Sequence, residues 1–470
     1  MTSRILILLI LALPFSTCQS QDQYDCPFPY QNYSYEDRCG FVEVPKDYDR
    51  PELGTTKLAY LVISSKNPDP KSDPVVFIQG GPGGNVLGLA NVFSQINLDP
   101  NRDYILYDQR GIGFSDELCP GLSQGLLEIM AMDLNPEGEF AALEKRIQSC
   151  ETELSKQSTS YNTSVNAKDL EQLRKHLGYS QLNLFGGSYG SRLGLEYMRQ
   201  YPDRVRSSIL FGLFPPNVRM YDGLLTNFNN ALKKLFEDCK EDSNCRVKYP
   251  QLKANFYSIY NRLATQPIRM KLNGNDFVIN QQDFLLILHQ LMYSENTIAF
   301  IPFLINSIYD KDYSELTQVM RLFKTRMNSI NIAVYWSIMK SDESHFDNEK
   351  LLRKDAQNNP ELTSGLSLFA IDAEVYKQWP SSGKSSKALE TVTSDIPTLL
   401  IGGDFDPITP PDNAFKAARH LKNSQTVIFK NGSHSTINAC FFNIANAFLN
   451  NPEGTVNSDC ASNSIQINWD

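Results

Sequence analysis

The 470-residue sequence predicts a mostly parallel α/β sheet covered by helices on both faces and interrupted by a helical insertion. Three observations predict it. Short apolar runs bounded by turn residues recur through the N-terminal half and return near the C-terminus, as buried strands do. Amphipathic helical segments separate them, and strand alternating with helix implies parallel pairing with both faces covered. A glycine-flanked serine, an aspartate and a histidine each follow one of these runs, at the carboxyl edge where such sheets carry their chemistry.

The runs "LAYLVISS" (58–65), "PVVFIQ" (74–79), "YILYDQ" (104–109), "LNLFGG" (182–187) and "SSILFGLF" (207–214) read as the first strands. "VNAKDLEQLRKHLGY" puts Leu170, Leu173 and Leu177 on one helical face, and "SRLGLEYMRQYPDRV" after Gly190 reads as the next helix. Strand signals thin out beyond Pro215 and Pro216, and segments such as "LLTNFNNALKKLFEDC" and "DFLLILHQLMY" are helical. Strand logic resumes with "IPTLLIGGD" (396–404), the helix "DNAFKAARHLK" and "TVIFK" (426–430), and "SSGKSSK" (381–387) reads as a flexible return linker. The expected division is a leader over 1–20, core over 21–214, a helical lid over 215–390 and core again over 391–470.

The first twenty residues, "MTSRILILLILALPFSTCQS", have one basic residue, an apolar run too short to span a bilayer, and small residues before a cut after Ser20. They read as a signal peptide of a secreted or periplasmic protein. "FSTC" also resembles a lipoprotein cleavage box, with Cys18 as the alternative anchor. Eight cysteines remain, an even number that fits an oxidising compartment, and short loops suggest the pairs 26 with 39, 119 with 150, 239 with 245 and 440 with 460. Without a C-x-x-C, and with five widely separated histidines, metal ligation has no support. The net charge of −9 and the lack of a basic cluster argue against nucleic acid or an anionic membrane as partner. The sequons at Asn32, Asn162 and Asn431 signify glycosylation only in a eukaryotic host.

"NLFGGSYGSRLG" holds Gly186, Ser188 and Gly190 in the pattern G-x-S-x-G between a strand and a helix. At such a turn the serine backbone is strained, bulky neighbours would collide, and the helix N-terminus faces the place where negative charge develops. A serine hydroxyl is a weak nucleophile, so the reading needs an imidazole base and an orienting carboxylate. "LLIGGDFDPITP" supplies Asp404 and Asp406 after one strand, and "NGSHST" supplies His434 after the next. Asp406 lies farther beyond its strand; Asp404 is suited to bracing the turn. His176 reads as surface, His420 as closing a helix, and His289 and His345 as part of the insertion. The loop "FIQGGPGGN" (77–85) suits an oxyanion hole, with the N–H groups of Gly81 and Tyr189 as donors. No G-K-[ST] follows it, so a nucleotide site is poorly supported.

With "GGPGG" (80–84), "DQRGIGFS" (108–115), "GGSYGS" (186–191) and "GDFDPITP" (403–410) followed by "GSH" (432–434), the chain resembles the proline iminopeptidase and tripeptidyl aminopeptidase group of α/β-hydrolase fold serine peptidases. The D-Q-R-G element reads as a brace in which Asp108 and Arg110 tie the loop of Gly113 and Ser115 beneath the site. Gln79 stands where relatives often have histidine, and "LFGLFPP", with Phe211, stands where their strand commonly ends in Leu-Asp-Gly. The resemblance implies a Ser188, Asp406, His434 triad working through an acyl-enzyme without metal or organic cofactor. It also implies peptide substrates with a free N-terminus and lid carboxylates for the substrate ammonium, with Asp222, Glu295, Asp372 and Glu374 as candidates. An esterase or lipase with the same triad, and an inactive binding module, are the competing readings.

Overall fold

The computed structural model describes Cys26, Phe28 and residues 38–469, apart from positions 94, 96, 97, 158, 273, 344–347, 363, 367, 368, 370 and 381–386. The leader with Cys18, the sequon at Asn32, His345 and nearly all of the return linker lie outside the described residues.

The strands are β1 (Arg38–Pro45), β2 (Thr55–Ile63), β3 (Val75–Ile78), β4 (Tyr104–Tyr107), β5 (Leu182–Gly187) and β6 (Val205–Phe211), then β7 (Ile268–Leu272), β8 (Asn275–Ile279), β9 (Thr398–Gly403) and β10 (Ser424–Phe429). Eight of them form one sheet in the order β1-β2-β4-β3-β5-β6-β9-β10. β1 and β2 pair antiparallel, as do β2 and β4, while every pairing from β4 to β10 is parallel. β1 is missing from the sequence reading because it is half exposed, with the burial alternation of an edge strand.

Alternation along the strands divides the core in two. Val76, Ile78, Leu184, Leu210 and Leu400 face one layer of helices. Val75, Phe77, Phe185, Ile209, Phe211 and Leu399 face the other, with Phe441 and Phe448 of the C-terminal helix. β5 is buried throughout, which is why its sequence shows no polar alternation.

The helix Thr163–Leu177 starts where the Asn162 side chain accepts from Val165 N–H and stops at Gly178, φ 80°. Asn162 is only 8% exposed, so this sequon is occupied by capping rather than presented to solvent. The four cysteine pairs are those suggested by short loops, with Cα separations of 5.7, 5.5, 5.1 and 6.0 Å in chain order.

β6 pairs directly with β9, so the sheet continues across the whole intervening segment. That segment is mainly helical but also holds the antiparallel hairpin β7–β8, which its sequence was not expected to contain. Gly274 at φ 85° provides the backbone conformation for its tight turn. The helices Leu122–Met130 and Pro136–Gln157, which precede β5, join this layer: Val278 N–H donates to Ala131 O (2.9 Å) and Ser123 Oγ to Ile330 O (2.9 Å).

Candidate active site

β5 ends at Gly187 and the helix Tyr189–Gln200 begins at once, with Ser188 between them at φ 56° and ψ −126°. A non-glycine residue in that conformation costs about 1–3 kcal/mol and persists only when its surroundings over-determine it. They do here. Ser188 N–H donates to Phe211 O (2.9 Å), and Ser188 O accepts from Ser191 N–H (2.9 Å) and Ser191 Oγ (2.6 Å). The flanking glycines are required by space: a Cβ on Gly190 would lie 2.0 Å from Ile78 O, and one on Gly186 would lie 2.6 Å from Gly190 O.

Asp406 and His434 come together at the ends of β9 and β10, with His434 Nδ1 2.8 Å from Asp406 Oδ2. Thr409, which sequence reasoning passed over, donates its hydroxyl to the same Oδ2 (2.6 Å) and lies 2.9 Å from Nδ1. The other carboxylate oxygen accepts from Ile408 N–H (2.9 Å) and Thr409 N–H (2.8 Å). Burial alone would raise this carboxyl, but the charge and hydrogen bond of His434, joined by the Thr409 donors, hold it below the ordinary carboxylate range. The signal for Thr409 was present in the "DPIT" spacing, a turn in which a side chain two or three residues on can reach back. Asp404 stays apart, accepting from Asn431 N–H at 2.8 Å and bracing the turn.

The 79–85 loop lies across from the serine, so close that a Cβ on Gly80 would sit 2.8 Å from Ser188 Cβ. Gln79 pins the loop: its Oε1 accepts from Gly80 N–H (3.1 Å) and its Nε2 donates to Asn85 O (3.2 Å). Among the described residues the N–H of Gly81 has no protein acceptor, and Tyr189 N–H belongs to the first helical turn, whose donors lack intrahelical partners. The Tyr189 side chain is turned away to Thr163 (2.9 Å) and Asn166 (3.2 Å).

The expected brace divides in two. Asp108 holds both loops, accepting from Val86 N–H (2.8 Å), Leu87 N–H (3.1 Å) and Phe114 N–H (3.1 Å), while Ser115 Oγ donates to Asp108 O (2.6 Å). Arg110 does something else: it forms a buried two-pronged pair with Asp169 (2.6 Å each) and caps the carbonyls of Pro45, Lys46 and Ser160. It fastens β1 to the helix Thr163–Leu177 rather than the Gly113 loop.

Ser188, Gly81 and His434 line a cavity of about 430 Å³, walled mostly by apolar side chains from the insertion and the core, among them Phe211, Tyr335 and Ile408. A recess of about 120 Å³ also reaches Ser188 and Gly81 and is lined by Asp222 and Asp412 together with Arg219 and Lys416. The other carboxylates singled out in the sequence lie elsewhere. Glu374 pairs with Lys377 on a helix surface (2.5 Å), and Glu295 accepts from Ser433 N–H (3.4 Å) and the Thr436 hydroxyl of the His434 loop. Asp372 is enclosed beneath the cavity floor, accepting from Tyr221 (2.6 Å), Tyr335 (3.0 Å) and Trp336 Nε1 (2.9 Å); burial nevertheless pushes its carboxyl up to about 7.

Among the described histidines, His176 and His420 are exposed. His289 is fully buried, and that burial lowers its imidazole to about 3. Among the described residues no cluster of histidine, cysteine and carboxylate is placed to hold a metal, and no helix is long and apolar enough to cross a membrane.

The strand order, the serine turn and the pairing of His434 with Asp406 define a class, and comparison with known families bears on it directly. The α/β-hydrolase fold family model matches residues 73–263, and that of TAP-like proteins matches residues 370–460. The chain has the α/β-hydrolase fold. Its relatives are named as a serine protease and as aminopeptidases. It is 24% identical to the serine protease Hip1 of Mycobacterium tuberculosis over 449 residues, 87% of this chain and 84% of that protein. It is 28% identical to the tripeptidyl aminopeptidase of Streptomyces coelicolor over 38% of this chain and 36% of that one. A probable proline iminopeptidase of Leptolyngbya boryana is 29% identical over 33% of this chain and 36% of its own. Among solved structures, the α/β-hydrolase MGS-M2 from a Medee basin deep-sea metagenome library matches with TM-score 0.40 and 15% identity, covering 84% of this chain and 94% of that one.

Proposed function

We propose that the protein is a secreted serine aminopeptidase that releases amino acids or short peptides from free peptide N-termini. The observation that carries the reading is the junction of His434 Nδ1 with Asp406 Oδ2 at 2.8 Å beside a strained Ser188 in one cavity. In this mechanism Ser188 Oγ attacks the scissile carbonyl while His434 Nε2 takes its proton, and the same proton passes to the leaving amine as the acyl-enzyme forms. Asp406 fixes the imidazole with Nδ1 protonated and stabilises the imidazolium. Water, activated by the same imidazole, then releases the acyl group. The N–H groups of Gly81 and Tyr189 hold the tetrahedral oxyanion, each worth about a hundredfold or more in rate.

The segment 215–390 serves as a lid, joined by the helices before β5. The recess that reaches Ser188 carries Arg219 and Lys416 beside Asp222 and Asp412, and these two carboxylates are the groups in it that suit the α-ammonium of the N-terminal residue. The rest of the peptide then occupies the larger chamber. Secretion is supported by the leader sequence and by four disulfides.

A peptide library presented with free and with acetylated N-termini tests the function. Cleavage near the N-terminus that disappears on acetylation is expected. Equal cleavage of blocked peptides overturns the aminopeptidase reading, and hydrolysis of short acyl esters without any peptide cleavage marks an esterase.

A further inference from the structure

The larger chamber contains a cation whose presence the proposed chemistry does not explain. Arg326, on the helix Leu316–Asn328, lines the cavity together with Ser188 and His434. Among the described residues no aspartate or glutamate lines that cavity, and no carboxylate acts on the charge of Arg326. Its position is fixed. Nε donates to Gln290 Oε1 at 2.6 Å, and the guanidinium lies over the Tyr293 ring, 3.9 Å from its centroid. That ring in turn packs edge-on against the His434 imidazole, centroids 4.7 Å apart. One aromatic ring therefore separates the guanidinium from the imidazole.

A guanidinium stays charged in proteins, and holding it half-buried in an apolar wall without a carboxylate is costly. Burial draws its protonation equilibrium below the ordinary arginine value, and only Tyr293 offsets this. Folding alone gains little from such a placement, since a methionine would fill the same apolar wall. Its planar donors suit a carboxylate, which arginine recognises through paired hydrogen bonds.

We infer that Arg326 is a specificity residue that binds a carboxylate on the part of the substrate filling the larger chamber. The inference rests on the aminopeptidase reading for the placement of the peptide, and it narrows the substrates to peptides with an anionic group within a few residues of the scissile bond. The carboxylate comes either from the C-terminus of a short peptide or from an acidic side chain.

Two measurements on the full chain decide the matter. In the first, release of the N-terminal product is followed by mass spectrometry for Ala-Ala-Leu as free acid and as amide, and for Ala-Ala-Glu-amide against Ala-Ala-Gln-amide. The wild type is expected to favour one anionic member at least tenfold in kcat/KM, which also identifies the source of the carboxylate. In Arg326→Met that preference falls to near unity, and in Arg326→Lys part of it returns. Absence of either preference in the wild type, or its persistence in Arg326→Met, overturns the inference. In the second, 3-phenylpropanoate and 3-phenylpropanamide are titrated calorimetrically, a comparison that needs no hydrolysis. Tighter binding of the acid to wild type by tenfold or more supports the inference even if no peptide is cleaved, and equal binding of acid and amide overturns it. If Arg326→Met fails to fold, Arg326→Gln replaces it, with the same loss of preference expected and its persistence overturning the inference.

Discussion

Asp406→Asn separates geometry from proton placement. In the wild type Oδ1 accepts two backbone N–H groups, at 2.9 and 2.8 Å, and Oδ2 accepts from the Thr409 hydroxyl and from His434 Nδ1. An asparagine must put its NH₂ on one side or the other. Toward the backbone it would face two fixed donors, at a cost of about 1–3 kcal/mol for each one left unsatisfied. Toward Thr409 it meets a hydroxyl that can rotate to accept, so this orientation prevails. The amide then donates to His434 Nδ1, the imidazole carries its proton on Nε2, and the base can no longer take the proton of Ser188. An enforced wrong tautomer in a serine triad costs about 10⁴ in kcat, equivalent to roughly 5 kcal/mol of barrier. The assay is steady-state hydrolysis of a cleaved peptide, with thermal unfolding of the same preparation as the control for folding. A folded variant within tenfold of wild-type kcat would refute the reasoning, because the tautomer argument leaves no room for it.

Other consequences are open to measurement. Gly190→Ala places a Cβ 2.0 Å from Ile78 O, between two backbone segments that cannot move independently; thermal unfolding should report a loss of about 4 kcal/mol or more, or no folded protein. Arg192→Met leaves Glu343 buried without its 3.1 Å partner, and chemical denaturation should show a loss of about 3–5 kcal/mol, partly recovered in the Arg192→Met, Glu343→Gln double variant. Asp372 holds its proton in the folded state up to about 7, against 3.8 as its ordinary value, so native protein binds the extra proton between those limits. Wild-type stability should therefore decline relative to Asp372→Asn as pH rises from 4 to 7, by a few kcal/mol, and level off above that window. Parallel unfolding curves across the window would contradict the assignment.

The sheet strands with continuous apolar runs were legible because burial on both faces leaves no other pattern, and β5 coincides with its predicted bounds. β1 was not, since an antiparallel edge strand that alternates with solvent resembles a polar loop. Ser188, Asp406 and His434 could be nominated because each follows a recognisable strand and the chemistry fixes their order. Their helpers were harder. Thr409 acts through a turn whose shape only the fold supplies, and Arg110 has its partner Asp169 in a distant helix. The carboxylates nominated from the insertion show the limit most plainly. Charge and composition could nominate Asp372 and Glu374, but only three-dimensional packing separates a proton-retaining structural aspartate and a surface glutamate from Asp222, which reaches the recess by Ser188.

The account turns on Ser188 being a nucleophile activated by His434, and covalent capture tests this most directly. Full-length protein treated with diisopropyl fluorophosphate, digested and sequenced by mass spectrometry should have one phosphoryl adduct, on Ser188, formed far more slowly in His434→Ala. An unmodified Ser188 in folded wild-type protein, an adduct on another serine, or an unchanged rate without the imidazole would contradict it.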